Sequence, residues 1–457
     1  MKLTNTLTGK KEEFIPITAG KVGMYNCGPT VYDFVHIGNL RAFLLADMLR
    51  RTFEFNGLAV TQVINITDIG HLSGDGDDGD DKMTKGLKRE GKPLTLEAMK
   101  ELADFYTERF KENLVSLNVQ LPHHMPKASE HIAEDIEFIK NLEVKGIAYT
   151  ISDGVYFDTS KDPHYGKLGG ISTDDSHARV ESNSEKKNFK DFALWKFNAE
   201  LGYESVWGKG FPGWHIECSA MSKKYLGDHF DVHTGGIDLS TIHHNNEIAQ
   251  SECESGHDFV NVWLHNAFVN IEGGKMAKSQ GNFLRLQSIV DKGISPLAYR
   301  YWLLTAHYRT PVNFTWEALE AAQNAYSKLV EHMRELPDDG GIIHLEYIKN
   351  FTELINDDLD TPKAIALMWF FIKDPHVSPA DKKITILKFD EVFGLGFANI
   401  KKIEIEIPEE VQKLVDERAQ ARQNKDFAKS DELRNAIAEL GFIVKDTDKG
   451  QQVFPNS

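Results

Sequence analysis

Two short segments and four side chains carry the chemistry this sequence could perform. His36-Ile37-Gly38-Asn39 follows the turn residues Gly28-Pro29-Thr30 and opens a helical pattern. Unpaired amides and the dipole at a helix N-terminus can hold phosphate, and Gly38 permits close approach. Lys275-Met276-Ala277-Lys278-Ser279 follows Glu272-Gly273-Gly274. Two ammonium groups three residues apart on a glycine-flanked loop could fold over a triphosphate. There they would stabilise the charge that develops on an α-phosphorus and on departing pyrophosphate. Taken singly, the first segment also fits a turn with a packed imidazole, and the second a solvated loop.

The four side chains are Cys27, beside the first segment, Cys218 in Gly213-Trp214-His215-Ile216-Glu217-Cys218-Ser219, and His243 with Glu247. The last two stand four apart where a helix begins, which puts imidazole and carboxylate on one face. Thiolate, imidazole and carboxylate are all zinc ligands. A closed structural zinc site would use the same four, and a buried cysteine can be a plain small hydrophobe. His215, His229 and His233 could orient such ligands. No His-Glu-X-X-His occurs, which removes the metalloprotease option. The run Asp75-Gly-Asp-Asp-Gly-Asp-Asp81 offers Gly79 and Asp80 where a calcium loop needs an oxygen ligand and then glycine, so it reads as a solvated acidic loop.

The elements that must position these groups read as α/β. Gly23 to Cys27 is a strand end, and the helix after it carries Leu40, Phe43, Leu44 and Met48 and stops at Asn56-Gly57. Residues 58 to 66 read as a buried strand, completing a strand-helix-strand unit. A second unit runs from His229–His233 through a helix near His244 to a strand over Phe259–Phe268. Between them Tyr149–Ile151 and Val155–Phe157 flank Asp153-Gly154 as a hairpin, so a domain is inserted in a split nucleotide-binding domain. The chain is helical from Pro296, and a small module follows the charged linker Lys401–Pro408. At roughly 150 residues per domain, 457 residues make about three.

Lys and Arg total 52 against 69 Asp and Glu, a net charge of −17, so a polyanionic partner must find a local basic patch. Three cysteines suit a reducing compartment and no disulfides. The N-terminus lacks the apolar core of a signal peptide, and the longest apolar run, Ala364–Ile372, falls short of the ~18 residues of a span. The expectation is a cytoplasmic protein with no membrane partner.

Together the two segments resemble the paired signatures of the class I aminoacyl-tRNA synthetases, His-Ile-Gly-His and Lys-Met-Ser-Lys-Ser, with Asn39 in place of the second histidine and Ala277 in place of the first serine. Cys27, Cys218, His243 and Glu247 resemble the zinc site of the cysteinyl-tRNA synthetases, and Tyr25–Gly28, Gly213–Ala220 and His243–Gln250 are similar to that family's phrases. The resemblance implies ligation of L-cysteine to tRNA(Cys) through a cysteinyl-adenylate, one Zn2+ per chain recognising the thiol, Mg2+ with ATP, and a monomer. It implies that His36, Gly38, Asn39, Lys275 and Lys278 bind ATP and act in catalysis, that Gly235 and Gly236 approach adenosine, and that Thr67, Trp214 and Asp238 contact the amino acid. Thr67 and Asp68 could instead cap a helix, and Trp214 could fill the core.

The implied fold is a split Rossmann-type parallel-sheet catalytic domain with an insertion, then an α-helical bundle and a small C-terminal module. Its divisions are 1–112 and 205–270 for the two catalytic halves, 113–204 for the inserted connective domain, 271–312 for the signature-loop and stem-contact region, 313–400 for the bundle, and 401–457 for the linker and anticodon-binding module. A zinc- and ATP-dependent cysteine ligase acting on an aminosugar in the mycothiol pathway shares the catalytic half but lacks the anticodon end. A non-catalytic, zinc-stabilised tRNA-binding paralogue is a further alternative. Arg418, Arg422, Lys425, Lys429, Arg434, Lys445 and Lys449 supply the basic face expected of the anticodon end.

Overall fold

Strand β1 (Lys21–Asn26) stops one residue before Cys27 and hands the chain to helix α1 (Ile37–Phe55), which returns it to strand β2 (Ala59–Ile64). The computed structural model describes residues 1–70, 81–169, 184–271, 274–275, 283–400, 408–447 and 450–455. β1 and β2 pair in parallel, with Asn26 opposite Ile64. Leu40, Phe43, Leu44 and Met48 of α1 are all buried, as their helical spacing predicts. The helix ends at Asn56, and Gly57 at φ +81° turns the chain into β2.

After β2 come the short helix α2 (Lys82–Arg89), capped by Asp81, and further on helix α3 (Trp214–Leu226). The second unit is strand β3 (Phe230–Gly236), helix α4 (His243–Ser255) and strand β4 (Val260–Asn266). All pairings are parallel, and the sheet order is β4-β3-β1-β2. The two units run outward in opposite directions from the β3–β1 pair, and in such sheets a crevice opens outside the carboxyl ends of the strands at that switch point. Val22, Met24, Leu49, Phe53, Val60, Val232 and Leu264 close the core on one face. Full burial of each such side chain stabilises by about 1.5–3 kcal/mol.

Between the halves lies a four-stranded antiparallel sheet of Ala148–Ile151, Gly154–Phe157, Phe192–Phe197 and Gly210–Pro212. Ile151 pairs with Gly154, so Ser152 and Asp153 make the turn and the glycine opens the second strand. Phe157, Phe192, Leu194 and Trp195 pack with Ile139, Leu142 and Ile216.

Beyond β4, Val269–Ile271 pairs antiparallel with Gly274–Lys275 and parallel with Val312–Phe314. Buried Arg41 of α1 holds the approach to that sheet. Its Nη1 donates to the carbonyls of Ala267 and Phe268 at 2.9 Å each, and its Nη2 to those of His307 at 3.1 Å and Thr310 at 2.7 Å. Helices Pro296–Leu304, Trp316–Glu335, Leu345–Ile355, Thr361–Lys373 and Pro379–Phe393 follow. Fully buried Arg300 joins the first of them to α1 through Asp47 at 2.5 Å. Among the described residues no helix is long and apolar enough to cross a membrane.

The chain divides into two units, Met1–Asn399 and Ile400–Ser457. In the second, helices Glu409–Gln423 and Phe427–Glu439 pack with a hairpin of Phe442–Thr447 and Gly450–Pro455 around Val411, Val415, Ile437, Val444 and Val453. The basic face needs one correction. Arg418 is 1% exposed and makes a two-pronged pair with Asp446 at 2.9 and 3.1 Å, so it is a core strut. Arg422, Lys425, Lys429, Arg434 and Lys445 are exposed, and Lys449 lies outside the described residues.

Candidate active site and metal-ligand cluster

A cleft of about 570 Å3 opens at the carboxyl ends of the parallel strands, with Cys27, His36, Asn39, Trp214, Gly236 and Asp238 on its walls. At one end His36 is the N-cap of α1. Its Nδ1 accepts the Asn39 amide N–H at 3.1 Å, while Asn39 Oδ1 accepts the His36 N–H at 3.3 Å. This reciprocal box explains how asparagine serves at that position: its carbonyl completes the cap and its amide N–H2 remains a donor. With Nδ1 accepting, the neutral imidazole carries its proton on Nε2. Gly38 leaves room for the capping imidazole, because a Cβ there would lie 2.9 Å from His36 Nδ1.

The backbone of Lys275 lies in the short pairing with Asn270, and Lys278 falls outside the described residues. The acidic run from Asp75 to Asp80 does too.

At the other end, β1 delivers Cys27, α3 delivers Cys218, and the first turns of α4 deliver His243 and Glu247. Their ligand atoms all lie within 4.8 Å of one another. His243 Nε2 is 2.7 Å from Glu247 Oε1 and 3.6 Å from Cys218 Sγ. Cys218, His243 and Glu247 are buried, whereas Cys27 is half-buried and faces the cleft. Burial pushes the Cys27 thiol up, and its hydrogen bond to Cys218 brings the latter down to about 6. Burial works against a charged His243, yet Glu247 and Cys218 raise it to about 10. Burial also opposes the Glu247 carboxylate, but His233 and His243 hold it well below the usual range. The set is therefore anionic and rich in sulfur, and a cation entering it would displace protons.

A second set, Cys27, His233, His244 and Glu247, meets the same distance. His233 Nε2 lies 2.8 Å from Glu247 Oε2, and His244 Nε2 lies 3.2 Å from Cys27 Sγ. His244 Nδ1 contacts His265 Nε2 at 2.7 Å, and burial lowers the pKa of both rings, that of His265 to about 3. His244 and His265 were not singled out by the sequence. The visible cue was two imidazoles on neighbouring strands, His233 and His265, at positions two places apart in register.

The other expected residues divide. His215 Nδ1 touches His243 Nδ1 at 2.8 Å, while His229 is exposed and bonds Asn261. The Trp214 ring stacks on His243, centroids 4.3 Å apart. Asp238 and Gly236 line the cleft, with Gly235 buried behind them. Thr67 is buried, and its hydroxyl donates to Glu217 at 2.9 Å. Asp68 accepts the N–H and hydroxyl of Ser129 at 2.8 and 2.6 Å, which ties it to the turn Ala128–Glu130. Lys82, on the cleft wall beside Trp214, escaped sequence reading because a long polar loop separates it from β2.

Fold and cleft together define a class I aminoacyl-tRNA synthetase. Residues 13–324 match the family described as the tRNA synthetases class I (C) catalytic domain. The crystal structure of Mycobacterium tuberculosis methionyl-tRNA synthetase bound by methionyl-adenylate shares the fold, with a TM-score of 0.56 at 14% identity over 90% of this chain and 96% of that one. Residues 405–453 match the cysteinyl-tRNA ligase anticodon binding domain. Cysteine–tRNA ligase 1 of Burkholderia lata is 45% identical over 99% of this chain and 97% of its own, and the cysteine–tRNA ligase of Treponema denticola 43% identical over 98% of each. The chain belongs to the cysteinyl-tRNA synthetase family.

Proposed function

We propose that the cleft joins L-cysteine to ATP, giving cysteinyl-adenylate and pyrophosphate, and that the cysteinyl group then passes to the 2′-hydroxyl of the terminal adenosine of tRNA(Cys). The reading rests on one observation: four ligand atoms of mixed sulfur, nitrogen and oxygen type lie within 4.8 Å, with Cys27 open to the cleft. Such a set suits Zn2+, and Cys27, Cys218, His243 and Glu247 would hold one ion per chain. When bound, zinc supplies a Lewis acid soft enough to favour a thiolate over an alcohol, which separates cysteine from serine without editing.

His36, through Nε2–H, and the amides beside Gly38 bind phosphate, with the Asn39 amide as a further donor. Lys275 and Lys278 stabilise the charge that develops on phosphorus and pyrophosphate, and Mg2+ accompanies ATP. Asp238 accepts the α-ammonium of the substrate, Thr67 and Trp214 shape the amino-acid pocket, and Gly235-Gly236 lets adenosine lie against backbone. In this reading residues 1–112 and 205–270 are the catalytic halves, 113–204 the connective insertion, 271–312 the signature-loop and stem-contact region, 313–400 the bundle, and 401–457 the linker and anticodon module of a cytoplasmic monomer.

ATP–pyrophosphate exchange with cysteine and with serine, before and after metal removal, tests the reading. Exchange is expected with cysteine alone and only with metal restored. Equal exchange with serine would overturn the selectivity argument.

A further inference from the structure

Free cysteine offers three groups to a protein, and the reading above assigns only two of them: the thiol to the Cys27 end of the cleft and the α-ammonium to Asp238. The third is a carboxylate, and it is the nucleophile. It must enter a cleft whose walls already carry Asp33 and Asp238, which oppose an anion. Among the described residues that line the cleft, Lys82 is the one Lys or Arg.

Its placement suits a carboxylate. Lys82 sits at the first position of α2, and its Nζ lies over the Trp214 ring, 5.3 Å from the centroid. Trp214 in turn stacks on His243 at 4.3 Å, so the ammonium lies within about 10 Å of the His243 ring. The carboxyl carbon of cysteine is three bonds, roughly 4 Å, from its sulfur. Cys27, Trp214 and Lys82 line the same cleft, so a substrate whose sulfur reaches Cys27 and His243 can direct its carboxylate to the side where Trp214 and Lys82 stand. A cation held against an aromatic face is also restrained, because the ring attracts it and the stem packs on the indole.

We infer that Lys82 binds the α-carboxylate of the incoming amino acid and aims it at the α-phosphorus. The inference rests on the cysteine reading above and adds a third contact to it. During attack the carboxylate oxygen forms the new bond to phosphorus, the bond to the bridging oxygen of pyrophosphate breaks, and Lys82 keeps its proton throughout. Its contribution is electrostatic attraction and orientation, and neither requires proton transfer.

The test compares cysteine with cysteamine, which has the thiol and the ammonium but no carboxylate, in calorimetric binding to the metal-loaded enzyme. For Lys82→Met, which keeps the stem over Trp214, affinity for cysteine should fall roughly 10- to 100-fold, as loss of a charged hydrogen bond predicts, while affinity for cysteamine should change less than about twofold. Lys82→Arg should recover most of the cysteine affinity, and the KM for ATP in exchange should hold in both variants. Equal losses for the two ligands would make Lys82 a merely structural neighbour, and an unchanged cysteine affinity would overturn the contact outright. Failure of the unmodified enzyme to bind cysteine would instead sink the underlying reading, so the two failures are distinguishable.

Discussion

Replacing Gly38 by alanine should separate activity from stability. The added Cβ would stand 2.9 Å from His36 Nδ1 and 3.0 Å from Cε1, where ordinary contacts begin at 3.4 Å. Gly38 has ordinary negative-φ backbone, so alanine adds no backbone strain and the imidazole is what must yield. A shift of about 0.5 Å stretches the 3.1 Å bond from the Asn39 amide to a length that no longer counts as a hydrogen bond. Loss of that cap costs about 1 kcal/mol, and replacing glycine within a helix returns about 0.8–1 kcal/mol. Net stability should change by less than about 0.5 kcal/mol in urea unfolding, because the two terms nearly cancel. The displaced His36 Nε2–H, in contrast, no longer meets the phosphate where charge develops. One misplaced preorganised donor costs about 2.7–4 kcal/mol, or roughly 100- to 1,000-fold in pyrophosphate exchange. Near-normal exchange in a normally stable variant would refute the role of His36. A stability loss as large as the activity loss would refute the cancellation.

His233→Asn removes the 2.8 Å contact to Glu247 Oε2, and the affinity for zinc, measured by chelator competition, should drop about 10- to 100-fold; an unchanged affinity would show that Glu247 is oriented without it. Asp358 accepts from Thr4 N–H at 2.8 Å, Thr4 hydroxyl at 2.6 Å and Tyr308 hydroxyl at 2.7 Å, and pairs with Arg309 at 2.7 Å. Burial alone would raise its pKa, but these partners hold it below the ordinary value. Its native value therefore lies below the roughly 3.9 of an unfolded chain, so its stabilisation is complete above that pH and lost as pH falls through the native value. Asp358→Asn should cost about 3 kcal/mol at neutral pH, with the gap to the parent protein closing only below about pH 4. A gap that persists unchanged into acid would contradict the assignment.

How much of this was legible in the sequence depended on whether a pattern is local. Helix α1 announced itself through apolar spacing and through Asn56-Gly57, and the candidate quartet of Cys27, Cys218, His243 and Glu247 through residue types, the four-residue spacing on α4 and a family resemblance. The sheet strands followed from their apolar runs, with ends off by one to three residues. The C-terminal hairpin did not announce itself, because Lys445-Asp446 in one strand and Gln451-Gln452 in the other break the apolar runs. Arg418 was misread for a related reason: on a charged helix nothing local distinguishes a buried arginine, and its partner Asp446 lies 28 positions away. Lys82 and the His244–His265 pair were hidden likewise, since their neighbours come from other elements.

The guanidinium of Arg41 carries a mechanical consequence. It belongs to the second turn of the helix whose first turn is capped by His36, and it grips the four carbonyls from which the short sheet of Gly274–Lys275 departs. The two lips of the crevice thus share one rivet. Whatever tilts one must drag the other, which keeps the spacing between the start of α1 and that sheet constant.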